Sequence, residues 1–146
     1  MNSIIVIGGG FAGLWSAIGA ARKLEELGIG SNQVEVTLIN RDFWHGIRVR
    51  NYESDLSDLR VPLDSVLESA GVRLIEGEVT GIDPDARQVA VRAPNGQRNV
   101  AYDRLVVAAG RRSSIRLAGW PCVMRSSTSL ATKRSPALSD QCPVLP

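Results

Sequence analysis

A glycine-rich segment that directly follows an apolar run is the feature that most constrains the fold of this 146-residue chain. Residues 3–7 read Ser-Ile-Ile-Val-Ile, a run typical of a parallel strand that is covered on both faces. The next segment has the spacing Gly8-x-Gly10-x-x-Gly13. From residue 12 to residue 27, apolar side chains recur at spacings of three and four, which predicts an amphipathic helix.

A second strand completes a βαβ unit around the glycine segment. Residues 34–39 read Val-Glu-Val-Thr-Leu-Ile and end at Asn40, and a right-handed crossover places the helix over the sheet. In such a unit Gly8 permits a tight turn, Gly10 lets a pyrophosphate approach the backbone, and Gly13 lets the helix pack close to the strand. The start of the helix adds N–H groups and the positive end of its dipole. The sequence therefore predicts a dinucleotide-binding site.

Beyond this unit, the pattern predicts one further helix and several strands. They are a helix over 63–69 and strands over 72–79, 88–92, 100–102 and 103–110, the last of them buried, after an irregular stretch over 41–61. Pro94-Asn95-Gly96 has the composition of a hairpin turn. We therefore expect an α/β fold with a parallel sheet, a βαβ dinucleotide unit and a small antiparallel β-meander.

Charge and composition change near residue 110. Residues 1–110 hold eleven Lys or Arg and fourteen Asp or Glu, whereas residues 111–146 hold six basic residues and one acid. Residues 113–146 also contain seven Ser and four of the seven Pro, and show no helical or strand period. We expect a domain over 1–112 and an irregular, disordered or non-native tail over 113–146. A shifted reading frame or a premature end from about residue 118 explains this break, and an evolved linker is the alternative.

Several classes of function are disfavoured by composition. The sequence pI of 8.8 is a property of the tail, and the basic residues form no stripe with interleaved aromatics, so nucleic-acid binding is not expected. Cys122 and Cys142 form no C-x-x-C pair, and no metal site is predicted. No apolar run approaches the roughly 18 residues of a membrane span, and the start does not resemble a secretory leader. We therefore expect a cytoplasmic protein.

The end of the second predicted strand leaves three interpretations open. An acidic residue usually accepts hydrogen bonds from the adenosine ribose here, about 20 residues after the fingerprint. This chain has Asn40 followed by Arg41, and Asn40 comes 27 residues after Gly13. An amide oxygen still accepts from a hydroxyl, without charge assistance. Alternatively, Arg41 favours a 2′-phosphate and hence NADP, or Asn40 is only a turn residue.

Four ordered segments carry a resemblance to a known family. They read I-I-V-I-G-G-G-F-A-G-L, V-E-V-T-L-I-N-R-D-F-W-H, G-V-R-L-I-E-G-E-V-T-G-I-D-P-D-A-R and Y-D-R-L-V-V-A-A-G. Together they resemble the FAD/NAD(P)-binding pyridine nucleotide-disulfide oxidoreductase superfamily, and most of all its type II NADH dehydrogenase branch. The likeness covers residues 3 to about 112. It implies a Rossmann-like FAD-binding domain, here incomplete, because the N-terminal fingerprint of that family belongs to FAD.

The resemblance also implies roles for individual positions. The pyrophosphate would be cradled by Gly8, Gly9, Gly10, Phe11, Ala12 and Gly13. Asn40 and Arg41 would lie at the adenosine ribose, and the backbone of Val79 would meet the adenine. Ala109 and Gly110 match the end of the A-T-G motif, with Ala109 in place of threonine. His45, the only histidine, matches a histidine near the flavin-side loop, although a lone histidine in a loop is often structural.

The resemblance implies redox chemistry without a protein nucleophile. Disulfide reductases place a reactive cysteine soon after the second strand, and here no cysteine precedes Cys122, so a dithiol relay is excluded and no catalytic residue is assigned. Flavin-mediated hydride transfer needs orientation and electrostatics from the protein. Family enzymes continue with an NAD(P)H-binding domain and a second glycine fingerprint, and none follows residue 110.

Three functions follow from these observations. The first is an FAD-dependent NAD(P)H oxidoreductase that passes electrons to a quinone or another acceptor, present here as a truncated N-terminal part and membrane-peripheral in its full-length form. The second is an FAD-binding module, or a split subunit, without activity of its own. The third, a stand-alone NAD(P)-dependent Rossmann protein, is disfavoured by the hairpin and by the A-A-G strand end.

Overall fold

A computed structural model describes residues 2–46, 60–110, 114–118 and 123–125 of the chain. These residues form two helices, α1 (Phe11–Glu26) and α2 (Leu63–Ser69). The strands of the same residues are β1 (Asn2–Ile7), β2 (Val34–Asn40), β3 (Trp44–Gly46), β4 (Arg60–Pro62), β5 (Arg73–Glu76), β6 (Glu78–Asp83), β7 (Gln88–Ala93), β8 (Gly96–Ala101), β9 (Arg104–Val107), β10 (Ser114–Leu117) and β11 (Val123–Arg125).

A four-stranded parallel sheet in the order β5-β2-β1-β9 carries the fingerprint. β1 pairs with β2 on one side, where Ile7 lies opposite Ile39, and with β9 on the other, where Ile7 lies opposite Val107. The chain therefore leaves β1 toward β2 on one side, and returns to the other side only through β9. This makes the carboxyl end of β1 the switch point of the sheet, where α/β proteins place their ligands.

Side chains of β1 alternate between two apolar cores, as the period of a strand requires. Ile5 and Ile7 join a cluster between the parallel sheet and the antiparallel sheet, and Val6 joins a cluster beneath the two helices. The first cluster also contains Ile39, Ile75, Val79, Ile82, Val89, Val91 and Ile115. The second also contains Ala17, Ile18, Val36, Leu38, Leu63, Leu67 and Val72. The fold is thus three layers, with the parallel sheet in the middle.

The outer sheet has five strands in the order β11-β10-β6-β7-β8, and a separate pair is formed by β3 and β4. β6, β7 and β8 form an antiparallel meander with a register shift between Val79 and Gly81. β10 joins β6 in parallel and β11 joins β10 antiparallel. The predicted fold class, an α/β protein with a parallel sheet and a small antiparallel meander, is confirmed.

The predicted single strand over 72–79 is wrong, because the chain breaks at Gly77 and changes sheets. The Gly77 N–H donates to the Asn40 carbonyl at 2.8 Å, which ends β5 beside β2. A Cβ at Gly77 would overlap the Val91 side chain and lie 3.1 Å from the Arg92 carbonyl oxygen. Glycine therefore lets the chain pass close to β7 as it enters the meander.

Two stretches predicted to be irregular contain strands. Residues 41–61 include β3 and the start of β4, and the predicted tail 113–146 includes β10 and β11. These strands have three or four residues each, too few for a hydrophobic period, and they are fixed by pairing with distant partners. The predicted disorder of residues 119–122 and 126–146 lies outside the described residues.

The strand predicted to be buried over 103–110 is shorter and more exposed than expected. β9 covers Arg104–Val107, and Val106 and Val107 are 37% and 39% exposed. Within the described residues, β9 is the last strand of its sheet, and of its residues only Leu105 packs against a core cluster. Among these residues, no helix is long and apolar enough to cross a membrane.

Candidate dinucleotide-binding site

Gly8 makes the turn out of β1 with a backbone that only glycine adopts easily. Its φ is 103°, in the region that side chains rarely occupy. A Cβ at this position would lie 2.5 Å from the Ala108 carbonyl oxygen and 3.3 Å from the Cα of Ala109. The turn therefore passes directly against the chain that follows β9, which brings three of the predicted positions, Gly8, Ala109 and Gly110, to one end of the sheet.

Gly13 closes the opposite side of this turn. It is buried in α1, and a Cβ there would overlap the carbonyl oxygen of Gly8 and lie 3.3 Å from the Cβ of Ala108. The predicted close approach between helix and strand is therefore present. Any side chain at Gly13 would push α1 away from the end of β1.

Gly10 faces the open side of the turn. It is exposed, and no heavy atom lies within 4 Å of the place where its Cβ would be. Phe11 and Ala12 are exposed as well, whereas Gly9 is buried. The space at Gly10 is thus left open by the protein itself, and a side chain there would project into it.

The N-terminus of α1 is electrostatically suited to an anion. Gly10 is its N-cap residue and supplies no side-chain hydrogen bond, and the first turn contains no acidic residue. The Leu14 N–H donates to the Gly10 carbonyl at 2.9 Å, which leaves the earlier N–H groups without partners inside the helix. Those N–H groups and the helix dipole favour a negative charge in front of Gly10.

The N–H and the carbonyl of Gly9 each contact a side chain from the β2–β3 region. The Gly9 N–H donates to Asn40 Oδ1 at 2.9 Å, and the Gly9 carbonyl lies 2.7 Å from Nδ1 of His45. Asn40 Nδ2 donates in turn to the Asp42 carbonyl at 2.8 Å. The side-chain amide of Asn40 thus connects the Gly9 N–H to the Asp42 carbonyl. His45 lies against the glycine turn.

The imidazole of His45 is fixed by its surroundings. His45 is 5% exposed and lies in β3, opposite Val61 of β4. Its ring meets the ring of Phe11 edge to face, with centroids 4.7 Å apart and an interplanar angle of 84°. Phe11 thereby links the first turn of α1 to the β3–β4 pair.

The remaining predicted positions, Arg41 and Val79, differ in burial. Arg41 is exposed and its Nε lies 3.8 Å from an Asp42 carboxylate oxygen, a weak contact at the surface. Val79 is buried in β6, in the core cluster against which Ala109 packs. The structure therefore gathers the glycines, Asn40, His45 and Ala109 at the turn, and places Val79 in the neighbouring core cluster.

Sequence reasoning did not identify three residues that shape the site. Ala108 contacts the turn at Gly8 and Gly13, and Leu63, fully buried at the start of α2, lies where a Cβ of Gly9 would be. The carbonyl of Asp42 accepts the second hydrogen bond of Asn40. The A-A-G strand end gave a signal for Ala108, but the sequence holds none for contacts made by Leu63 or by the Asp42 backbone.

A known protein family matches most of the chain. The model of the pyridine nucleotide-disulphide oxidoreductase family matches residues 2–135. The match extends past residue 112, where the likeness seen in the four sequence segments ends.

Individual relatives match a shorter stretch. An NADH dehydrogenase-like protein of Mycobacterium tuberculosis is 49% identical over 110 residues, which are 75% of this chain and 27% of that protein. A type II NADH:quinone oxidoreductase of Staphylococcus aureus is 33% identical over 114 residues, 75% of this chain and 26% of that protein. The chain thus spans about a quarter of the length of these curated relatives.

A solved structure shows the same arrangement of elements. The sulfide:quinone oxidoreductase of Aquifex aeolicus superimposes with a TM-score of 0.58 at 27% identity, over 77% of this chain and 25% of that one. The similarity in three dimensions therefore covers a share of the chain close to that covered by the similarity in sequence.

Proposed function

Because this chain belongs to the pyridine nucleotide-disulphide oxidoreductase family, we propose that it is the FAD-binding part of an NAD(P)H-dependent flavin oxidoreductase. Residues 1–112 are the first segment of its FAD-binding domain. One observation supports this proposal above the others. Gly10 stands exposed, with open space at its Cβ position, in front of a helix N-terminus that has no acidic residue.

The residues present fit the pyrophosphate of a dinucleotide. Gly8 and Gly13 shape the turn, and Gly10 leaves room for two phosphates to reach the backbone. The N–H groups of Gly10, Phe11 and Ala12 are the donors that such an anion requires. Asn40 and Arg41 follow β2, on the side where the adenosine ribose would lie.

The chain itself orients the cofactor and supplies no nucleophile. When bound, FAD supplies the ability to take a hydride from NAD(P)H and to pass its electrons to a quinone or another acceptor. Here the turn at Gly8–Gly13 would fix the pyrophosphate, and the Ala109–Gly110 segment would approach the cofactor with bare backbone. The quinone is proposed because the Staphylococcus aureus relative is named for that acceptor.

A binding module without turnover is the second candidate. The sequence contains one glycine fingerprint, and the chain spans about a quarter of its curated relatives. We therefore propose that the NAD(P)H-binding part lies outside residues 1–146. On this proposal residues 1–146 alone hold FAD and oxidise little or no NAD(P)H, because nothing aligns a hydride donor with the flavin.

The test of FAD binding uses two glycine-to-valine variants. Neither Gly10 nor Gly19 has a heavy atom within 4 Å of its Cβ position, so a Cβ at either position meets no distant part of the protein. Only Gly10→Val fills the space proposed for the pyrophosphate. A steric overlap of about 1–3 kcal/mol weakens FAD binding by roughly 5- to 150-fold, whereas Gly19→Val, in the middle of α1, binds as the wild type does.

The measurements are the flavin absorption of the purified protein and an FAD titration followed by flavin fluorescence. Equal retention of FAD by the wild type and by Gly10→Val would refute the assignment. Tighter binding of NAD(P) than of FAD would favour the stand-alone Rossmann protein. Sustained NADH oxidation with a quinone analogue would show that this chain contains its own NAD(P)H site.

A further inference from the structure

The two side chains that hold Gly9 also determine where the neighbouring peptide groups point. All described peptide bonds are trans, and in a trans peptide the C=O and the following N–H point in opposite directions. The Gly9 carbonyl is directed toward His45 Nδ1 at 2.7 Å. The N–H of Gly10, which belongs to the same peptide group, is therefore directed away from His45.

The preceding peptide is fixed in the same way by Asn40. The Gly9 N–H points at Asn40 Oδ1 at 2.9 Å, so the Gly8 carbonyl points away from Asn40. That carbonyl oxygen is the atom that a Cβ on Gly13 would overlap. The hydrogen bond to Asn40 thus directs the Gly8 carbonyl toward α1. The hydrogen bond to His45 directs the Gly10 N–H toward the open side of the turn.

We propose that His45 is a positioning residue for the pyrophosphate of the bound dinucleotide, acting through the Gly9–Gly10 peptide. A carbonyl oxygen only accepts hydrogen bonds, so Nδ1 of His45 carries the proton and donates it. With the Gly9 carbonyl held in this way, the Gly10 N–H is set as a donor at the open side of the turn before any ligand arrives. The inference rests on the proposed function, since it assigns a role toward the same cofactor.

The surroundings of His45 suit a residue whose task is to hold an orientation. Its ring is buried, contacts Phe11 edge to face, and is carried by β3. The Leu63 N–H donates to the Phe43 carbonyl at 2.8 Å, which ties this short strand to the start of α2. Such preorganisation reduces the ordering that binding would otherwise require.

The test compares two variants of His45 that differ in the hydrogen-bond donor. His45→Asn keeps an N–H donor at the place of Nδ1, whereas His45→Leu keeps a buried side chain and removes the donor. We expect His45→Leu to weaken FAD binding by about tenfold, the effect of one hydrogen bond, and His45→Asn to bind within about threefold of the wild type. Val89→Ala is the control, because Val89 is fully buried in the meander and its loss lowers stability without touching the turn.

Amide hydrogen exchange of the full chain without ligand provides a second readout. In His45→Leu, we expect faster exchange at Gly9, whose N–H bonds to Asn40 Oδ1, and unchanged exchange in β2. If His45→Leu does not fold, His45→Gln replaces it, because its amide lies at the place of Nε2 and leaves the Nδ1 position empty. His45→Asn then still serves as the variant that keeps the donor.

The outcomes separate this inference from the proposed function. FAD binding by His45→Leu that equals the wild type would overturn the role of His45 and leave FAD binding intact. The positioning role of His45 is also wrong if His45→Asn binds FAD as weakly as His45→Leu does. It is wrong as well if Val89→Ala loses as much affinity for FAD as His45→Leu. No FAD binding by the wild type itself would overturn the proposed function and, with it, the positioning role.

Discussion

β1 and β9 lie side by side in the parallel sheet and are both apolar at three of their paired positions, yet they differ in burial. Val6 of β1 is 0% exposed, and Val106, its register partner on β9, is 37% exposed. β1 has strands on both sides and cores on both faces, whereas β9 is the last strand of its sheet among the described residues. Apolar composition therefore identifies a strand, but its place in the sheet decides how much of it is buried.

The carboxyl ends of the two strands differ as well. The end of β1 turns sharply at Gly8 into a helix that packs at once against the turn. The end of β9 runs on to Ala109 and Gly110 beside that turn, and Gly110 is exposed. The carboxyl end of β1 therefore forms the turn of the candidate site, and the carboxyl end of β9 forms one of its borders.

Gly13→Ala should disrupt the packing of α1 against the end of β1 and produce the largest loss of stability. The new Cβ would overlap the Gly8 carbonyl oxygen, so α1 must move away, which destabilises the fold by about 3 kcal/mol or more. Gly19→Ala is the matched control, because it lies in the same helix with nothing within 4 Å of its Cβ position. There alanine stabilises the helix by about 0.5–1 kcal/mol. Urea unfolding of both variants checks the prediction, and equal stabilities would contradict the close approach.

Paired substitutions at Val6 and Val106 test the difference in burial between the two strands. Val6→Ala removes fully buried methyl groups and leaves a cavity, so we expect a loss of about 2 kcal/mol. Val106→Ala occurs at the same register position on the exposed strand, and we expect a loss below about 1 kcal/mol. The measurement is the midpoint of chemical unfolding. Similar losses at both positions would show that β9 is covered in solution.

Val107→Thr should produce the smallest effect. Val107 is 39% exposed, and threonine keeps the β-branched shape that suits a strand while adding a hydroxyl that reaches water. We expect the free energy of unfolding to change by no more than about 0.5 kcal/mol. A loss of about 1–3 kcal/mol, as expected for a buried unpaired hydroxyl, would mean that another surface covers β9. Thermal unfolding followed by circular dichroism distinguishes the two results.

Local patterns were sufficient to predict the βαβ unit. The apolar run of β1, the spacing of three and four in α1 and the composition of the seven-residue β2 are all local signals, and α2 was predicted over its observed residues. The break at Gly77 was not predictable in this way, since it depends on Val91 and Arg92 of a strand that comes later in the chain. The pairing of β10 with β6 and the exposure of Val106 likewise depend on distant partners.

The same distinction applies to the site. The spacing of Gly8, Gly10 and Gly13 predicted the turn, because the positive φ of Gly8 and the approach of Gly13 to the Gly8 carbonyl are local to the fingerprint, whereas the contact of Gly8 with Ala108 is not. The contacts of Gly9 with Asn40 and His45 join residues 31 and 36 positions apart, and no pattern in the sequence connects them. The resemblance placed Asn40 and His45 near the cofactor, and the roles of these positions toward FAD stay predictions.

The pairing of β1 with β9 also has a consequence for the order of events during synthesis. Ser3 donates its N–H to the Asp103 carboxylate at 2.7 Å, a contact between residues 100 positions apart. A ribosome that adds about 5–20 residues per second takes roughly 5–20 s to make the intervening chain. During that interval β1 has β2 as a partner on one side, and its other edge is available to any strand that reaches it. The nascent chain is therefore most exposed to wrong pairing before β9 leaves the ribosome.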